Sequence, residues 1–297
     1  MIGSSDARCN SSRMEGLTWA QAVQTLRDDP KQEALVRACY YDDPLREAAN
    51  RFWRSLEWKL ITEYLPTVPG DALDLGAGRG ISSYALARDG WRVTALEPDP
   101  SPLVGAGAIE SLVVETGLSI RVVSDYSETL PFSDASFDLV HCRQALHHAK
   151  DLLQTCREIG RVLKPGGMMI ATREHVISKL EDLQTFLDQH PLHHLYGGEN
   201  AFLLRDYTKA IRSGGLKIDK LLAPYDSAIN YFPATEEQID SVCVSYAAKL
   251  TGRRLAHYLA GSSFTGPHFK WLCRKSFNIL TKSPGRLFSF VAIKPHV

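Results

Sequence analysis

The run Leu73-Asp74-Leu75-Gly76-Ala77-Gly78-Arg79-Gly80 places three alternate glycines behind an acid in an apolar stretch, and Glu97 follows 21 positions after Gly76. Glycine lets a backbone turn sharply and approach a ligand with no Cβ in the way. A carboxylate closing the next strand accepts hydrogen bonds from both hydroxyls of an unphosphorylated ribose. These are the parts of a nucleoside-binding corner. A second set of residues suits proton chemistry: His147-His148, Arg173-Glu174-His175, and the stretch His190-Pro-Leu-His-His-Leu-Tyr-Gly-Gly-Glu-Asn200. A neutral histidine near pH 7 is the usual general base, so His175, His194 and His148 are the candidate bases. His147, Glu174, His193, Tyr196, Glu199 and Asn200 are candidate contacts to a substrate. Gly197-Gly198 permits a bend that folds this loop over a pocket as a lid.

A dinucleotide fingerprint needs glycines at relative positions 1, 3 and 6, and counting from Gly76 the sixth place is Ile81. That weakens an NAD reading. Glycines at 1, 3 and 5 behind Asp74 resemble instead the first motif of the seven-stranded, class I S-adenosylmethionine-dependent methyltransferases. Glu128-Thr-Leu-Pro-Phe-Ser-Asp-Ala-Ser-Phe-Asp-Leu-Val-His-Cys142 resembles that family's loop and fourth strand, and Arg161-Val-Leu-Lys-Pro-Gly-Gly-Met-Met-Ile-Ala171 its turn and fifth strand. The resemblance spans about residues 71–173. It implies a small-molecule methyltransferase that takes S-adenosylmethionine and releases S-adenosylhomocysteine. By the same resemblance the cofactor contacts are Asp74, Gly76, Ala77, Gly78, Glu97, Pro98, Asp125, Tyr126, Ser127 and Arg143. The family's adenine-side acid falls on Tyr126 when counted back from Leu130-Pro131-Phe132, with Asp125 one residue earlier, so that contact stays open between them.

The elements that must position these residues alternate between strand and helix. Strands are expected near 72–75, 92–97, 120–123, 137–142 and 167–173, then Gly215–Leu222 and Arg286–Lys294. The expected fold is α/β: a doubly wound, mostly parallel seven-stranded sheet with helices on both faces, an N-terminal helical cap and a helical insertion before the last strand. Residues 1–16 read as a disordered N-terminus and 17–66 as the cap. The core is 67–222 with a lid loop at 175–205, the insertion 223–285, and the final strand 286–297. In the cap, Leu45, Ala49, Phe52, Trp53, Leu56, Leu60 and Ile61 recur at helical spacing, with Asp43 as the expected cap and Pro44 in the first turn. Tyr40-Tyr41, Trp53 and Trp58 fit core packing better than cation–π closure over a sulfonium. The insertion is expected to shape the acceptor pocket.

Composition bounds the function. The 297 residues carry 34 basic and 34 acidic side chains, with no long Lys/Arg run to neutralise phosphates. Nucleic acid is therefore disfavoured. Cysteines 9, 39, 142, 156, 243 and 273 form no CxxC pair, which fits reduced thiols and a cytoplasmic setting. No apolar run reaches the roughly 18 residues that span a bilayer. A divalent metal on His175, His193 or His194 and Glu199 suits the ligand types, but no helical HxxxH or HxxE spacing fixes them and no metal is assigned. The resulting reading is methyl transfer to oxygen or nitrogen of a small polar acceptor, with a histidine assisting deprotonation. An RNA methyltransferase and a non-catalytic protein that binds the cofactor or a partner are the alternatives. The oligomeric state is left open.

Overall fold

The computed structural model describes residues 16–296, so the expected disordered N-terminus falls almost entirely outside the described residues. Four helices come first: α1 (Trp19–Asp28), α2 (Glu33–Ala38), α3 (Leu45–Trp53) and α4 (Leu56–Thr62). A reciprocal capping box starts α1, with Thr18 Oγ1 accepting from the Gln21 amide and Gln21 returning an acceptor to the Thr18 amide. Asp43 does not cap α3. Pro44 takes the N-cap position, and the Asp43 carboxylate is held by Arg79 at 2.5 Å and Arg27 at 2.7 Å.

The alternating core runs β1 (Asp71–Leu75), α5 (Ile81–Arg88), β2 (Arg92–Leu96), α6 (Ala106–Thr116), β3 (Ile120–Val123), β4 (Phe137–Arg143), α7 (Leu152–Val162) and β5 (Leu163–Ile177). There follow α8 (Asp182–Gln189), α9 (His193–Tyr196), β6 (Phe202–Leu203), α10 (Leu204–Ser213) and β7 (Lys217–Leu222). The insertion holds α11 (Ala228–Tyr231), α12 (Glu236–Thr251), α13 (Arg253–Gly261) and α14 (Gly266–Leu280), and β8 (Arg286–Ile293) closes the chain.

Seven strands lie in the order β3-β2-β1-β4-β5-β8-β7, and the two-residue β6 pairs with the end of β5. Strand β8 runs antiparallel to both of its neighbours, β5 and β7. The pleat of β1 splits its side chains between two apolar layers. Leu73 and Leu75 join Cys156 and Ile159 of α7 and Ala210 and Ile211 of α10 on one face. Ala72 joins Phe52, Ile61, Tyr84 and Ile109 from α3 to α6 on the other.

Strand order reverses at β1, between β2 and β4, which opens a crevice at the carboxyl ends of these strands. The strand β5 is longer than its apolar run because β4, β8 and β6 pair with successive parts of it. Its pairing with β8 is interrupted between Ala171 and Glu174, where Arg173 adopts a φ of 61°. Such a bulge re-aims the side chains that follow it. No helix among the described residues is long and apolar enough to cross a membrane.

Candidate active site

The glycine turn is built by left-handed backbone. Gly76, Gly78 and Gly80 have φ of 68°, 54° and 80°, a region that costs other residues about 1–2 kcal/mol each. Gly76 and Ala77 donate their amides to the Leu96 carbonyl, tying the turn to the end of β2. Glu97, one residue beyond β2, then accepts from the Gly78 amide at 2.7 Å and the Asp99 amide at 3.0 Å. Each carboxylate oxygen keeps a further lone pair for a ribose hydroxyl. Burial raises the Glu97 carboxyl to about 7, against the lowering effect of those two amides. Asp74 is held from both sides, by His141 Nδ1 across the β1–β4 pairing at 3.0 Å and by Ser83 Oγ of α5 at 2.6 Å.

This turn forms one end of a cavity of about 410 Å³. A Cβ on Gly78 would stand 3.7 Å from the Trp19 ring, in the space between the turn and α1. A buried acid, a positive-φ turn open to the cavity and an adjoining wall at residues 125–128 together fit an adenosine group with a short charged tail. The same cavity is lined by His147, His148, His175, His190, Tyr196 and Glu199. Glu174, fully buried, sits beneath them and accepts the amides of Ala145, Leu146 and His147 and the Nδ1 hydrogen of His147 at 2.7 Å.

Burial alone would lower His147, but the Glu174 and Glu199 carboxylates outweigh it and raise its pKa to about 9. Desolvation and then the positive His147 push His148 down to about 4 and His175 to about 3. Both are neutral at pH 7. The Nδ1 of His148 donates to the Gly198 carbonyl at 3.1 Å and that of His175 to the Gly285 carbonyl at 2.9 Å, so each Nε2 carries a lone pair. Burial opposes ionisation of Glu199, and the surrounding histidines reverse that and hold it well below the usual carboxylate range.

Residues 73–171 match a family model described as a methyltransferase domain. Those residues form a methyltransferase domain. Over 129 residues it is 36% identical to a dimethylglycine N-methyltransferase of Parasynechococcus marenigrum, covering 40% of this chain and 44% of that protein. It is 38% identical over 99 residues to a ubiquinone biosynthesis O-methyltransferase of Xanthomonas campestris, covering 33% and 40%. The chain thus spans about two fifths of the length of the curated relatives it matches. The geranyl diphosphate C-methyltransferase of Streptomyces coelicolor shares the fold at a TM-score of 0.57 and 14% identity, covering 91% of this chain and 88% of that one. These three names span nitrogen, oxygen and carbon acceptors, so the likeness speaks to the donor side of the domain.

Within the methyltransferase domain and its caps, Asp74, Gly76, Ala77, Gly78, Glu97, Pro98, Asp125, Tyr126, Ser127 and Arg143 all line the one cavity, as do His148, His175, His147, Tyr196 and Glu199. Four expected site residues do not. His194 lies exposed on α9 and bonds the Asp188 carbonyl, because the helical turn His193–Tyr196 points its ring away from the cavity. His193 and Asn200 also stand outside the lining, and Glu174 acts from below through His147. Among the described residues the insertion contributes none to the lining; the cavity is covered instead by Trp19, Leu26, Leu35 and Cys39–Tyr41 from the N-terminal helices and by the loop after α8.

Tyr40 and Tyr41 therefore both reach the cavity, whereas Trp53 and Trp58 turn their indole nitrogens to Asp89. Arg143 is held by the fully buried Glu57 of α4 through two hydrogen bonds of 2.8 and 3.1 Å. The cavity residues not assigned from the sequence include His190, Trp19 and Gln144. His190 belongs to the histidine-rich loop and could have been found there; nothing local in the sequence shows that α1 folds back onto the glycine turn.

Proposed function

We propose that this chain transfers the methyl group of S-adenosylmethionine to an oxygen or nitrogen of a small polar acceptor. The observation that supports this most is that one cavity is lined both by the glycine turn with Glu97 and by neutral histidines with free Nε2 lone pairs. The cofactor, when bound, supplies an activated methyl on a sulfonium. The protein's task is then placement, holding an acceptor atom about 3 Å from that carbon and in line with the sulfur.

Glu97 orients the ribose, the backbone at Gly76–Gly78 receives the charged tail, and the 125–128 wall receives the base. Tyr196 and Glu199 bind polar groups of the acceptor, and His148 Nε2 accepts its proton. Its Nδ1 is already committed to Gly198, which fixes the tautomer required. The covering N-terminal helices exclude water from the reacting atoms.

Calorimetry with S-adenosylhomocysteine tests the donor half; absence of binding, with binding of NADH in its place, overturns it. A methyl-transfer screen over small hydroxyl and amine compounds tests the acceptor half. His148→Ala is expected to leave S-adenosylhomocysteine affinity unchanged and to lower turnover by about 10²- to 10⁴-fold, the range for a lost general base. Full activity in that variant removes His148 from the mechanism.

A further inference from the structure

Glu199 is surrounded in an unusual way for a buried acid. Its Oε1 accepts the Tyr196 hydroxyl at 2.7 Å. Its Oε2 faces the Nε2 atoms of His147, His190 and His148 at 3.7, 3.8 and 3.9 Å. These distances are too long for hydrogen bonds. Imidazole nitrogens therefore ring a carboxylate oxygen without bonding it, leaving a gap between donor atoms. His175 adds another nitrogen: its Nδ1 is committed to Gly285, and its other ring nitrogen makes no hydrogen bond among the described residues. One ligand atom from each of His175, His190 and Glu199 lies within 4.8 Å of the other two.

We propose that His175, His190 and Glu199 bind one divalent transition-metal ion in the acceptor half of the cavity. Two imidazoles and one carboxylate suit zinc, iron, manganese or cobalt, and leave positions open for an exogenous ligand. Magnesium and calcium prefer all-oxygen sets. The supporting contacts have the form that metal-binding histidines and carboxylates use. The His175 ring is fixed by a backbone carbonyl and the Glu199 carboxylate by a tyrosine hydroxyl, which leaves the ligand atoms directed inward.

The neighbouring group His147, His148 and Glu199 falls within the same 4.8 Å spacing, but His147 is already tied to Glu174 through its amide and its Nδ1, whereas the buried Nδ1 of His190 has no hydrogen-bond partner. Around an ion at 2.0–2.1 Å the donor atoms lie about 3.0–3.4 Å apart, so the triad must contract by up to about 1.8 Å. His190 and Glu199 flank α9 on the loop between α8 and β6 and can supply that movement by side-chain rotation. His193 and His194, the alternatives read from the sequence, stand outside the cavity lining.

The metal's role rests on the proposed methyl transfer: an acceptor oxygen bound to the ion would lose its proton more readily and be held at a fixed distance from the donor. Binding itself does not rest on that reading. The test is titration of Co²⁺, read by its visible absorption, and of Zn²⁺ by calorimetry, into tag-free protein stripped with a chelator. Wild type is expected to bind one equivalent.

His190→Gln and Glu199→Gln should each weaken Co²⁺ binding by at least ~100-fold, and Tyr196→Phe by about 10-fold as a supporting contact. His194→Ala, outside the cluster, should bind as wild type does, and His147→Gln, outside the triad, should still bind one equivalent. S-adenosylhomocysteine affinity and circular dichroism, measured on the same samples, report on folding and on the donor site. If Glu199→Gln does not fold, the partly exposed His190 carries the test. No stoichiometric metal in wild type, equal binding in His190→Gln, or loss in His147→Gln with retention in His190→Gln each overturns the assignment. Metal bound without any affinity for S-adenosylhomocysteine would sink the methyl-donor reading and leave this one standing.

Discussion

Glu97 does two things that pull against each other. Its carboxylate is the acceptor a ribose needs, yet burial raises its pKa to about 7 from an unfolded value of 4.5. An acid raised in the folded state penalises that state as it ionises, so the penalty starts near pH 4.5 and is complete above about 7. A bound ribose offsets it by donating two hydrogen bonds to the ionised form. Affinity for S-adenosylhomocysteine is therefore expected to be constant at high pH and to weaken below pH 7, by up to about tenfold per unit. Glu97→Gln should abolish that slope and weaken binding by about 1–3 kcal/mol, the scale of hydrogen bonds to a charged group. Without ligand, the melting temperature of Glu97→Gln relative to wild type should rise between pH 5 and pH 8. A pH-independent affinity in the wild type, or a variant as tight as the wild type, would show that Glu97 stays out of the site.

At the scale of elements, the covering of the cavity depends on one arginine. Arg79, buried on the glycine turn, donates to the Tyr40 carbonyl at 2.9 Å and the Asp42 carbonyl at 3.0 Å and pairs with Asp43. Arg27 of α1 pairs with the same Asp43 and bonds the Tyr41 carbonyl. The link between α2 and α3 is thus clamped to the turn proposed to hold the cofactor. Arg79→Met should release it, at about 1.5–3 kcal/mol for charge-assisted hydrogen bonds. Hydrogen exchange is the measurement: protection should fall over residues 19–43 and persist in β1 and β4, with S-adenosylhomocysteine affinity reduced. Uniform loss of protection, or none, would contradict a local clamp.

This clamp also shows where the sequence stops being readable. Strands β1 to β4 could be placed within a residue or two, because each is a short apolar run bounded by turn residues. The meeting of the glycine turn with Glu97 could be read because its parts are local: alternate glycines, an acid at a strand end and a fixed spacing. Arg79 sits inside that motif, yet its partners lie 36 to 39 positions away on another element, and no local pattern encodes such a meeting. His194 fails for the opposite reason. Its neighbourhood in the sequence is the richest in polar groups, but one turn of helix, α9, decides which of its histidines face the cavity.

For the whole molecule, the separation of the insertion from the cavity has a consequence. Helices α12 to α14 form their own apolar cluster of Ile239, Cys243, Val244, Ala256 and Cys273, braced by Arg274 on Asp240 and Glu236. None of their described side chains lines the cavity, while α11 belongs to the core: Ile229 packs in the sheet layer, and Asn230 bonds Ser289, Leu222 and Ala223. Leu222 and Ser289 are already paired across β7 and β8, so the chain could cross there by a short connection once α11 is kept. Replacing residues 235–282 with a short glycine-serine linker should therefore leave S-adenosylhomocysteine affinity within about twofold, since changes at distant, independent sites add with little coupling. Turnover on an identified acceptor is the discriminating readout. If affinity and turnover both persist, acceptor choice lies with the N-terminal helices and the histidine loop. A folded truncation that binds cofactor but no longer turns over would return the insertion to the acceptor site, through closure over a cavity that its side chains do not line in this conformation.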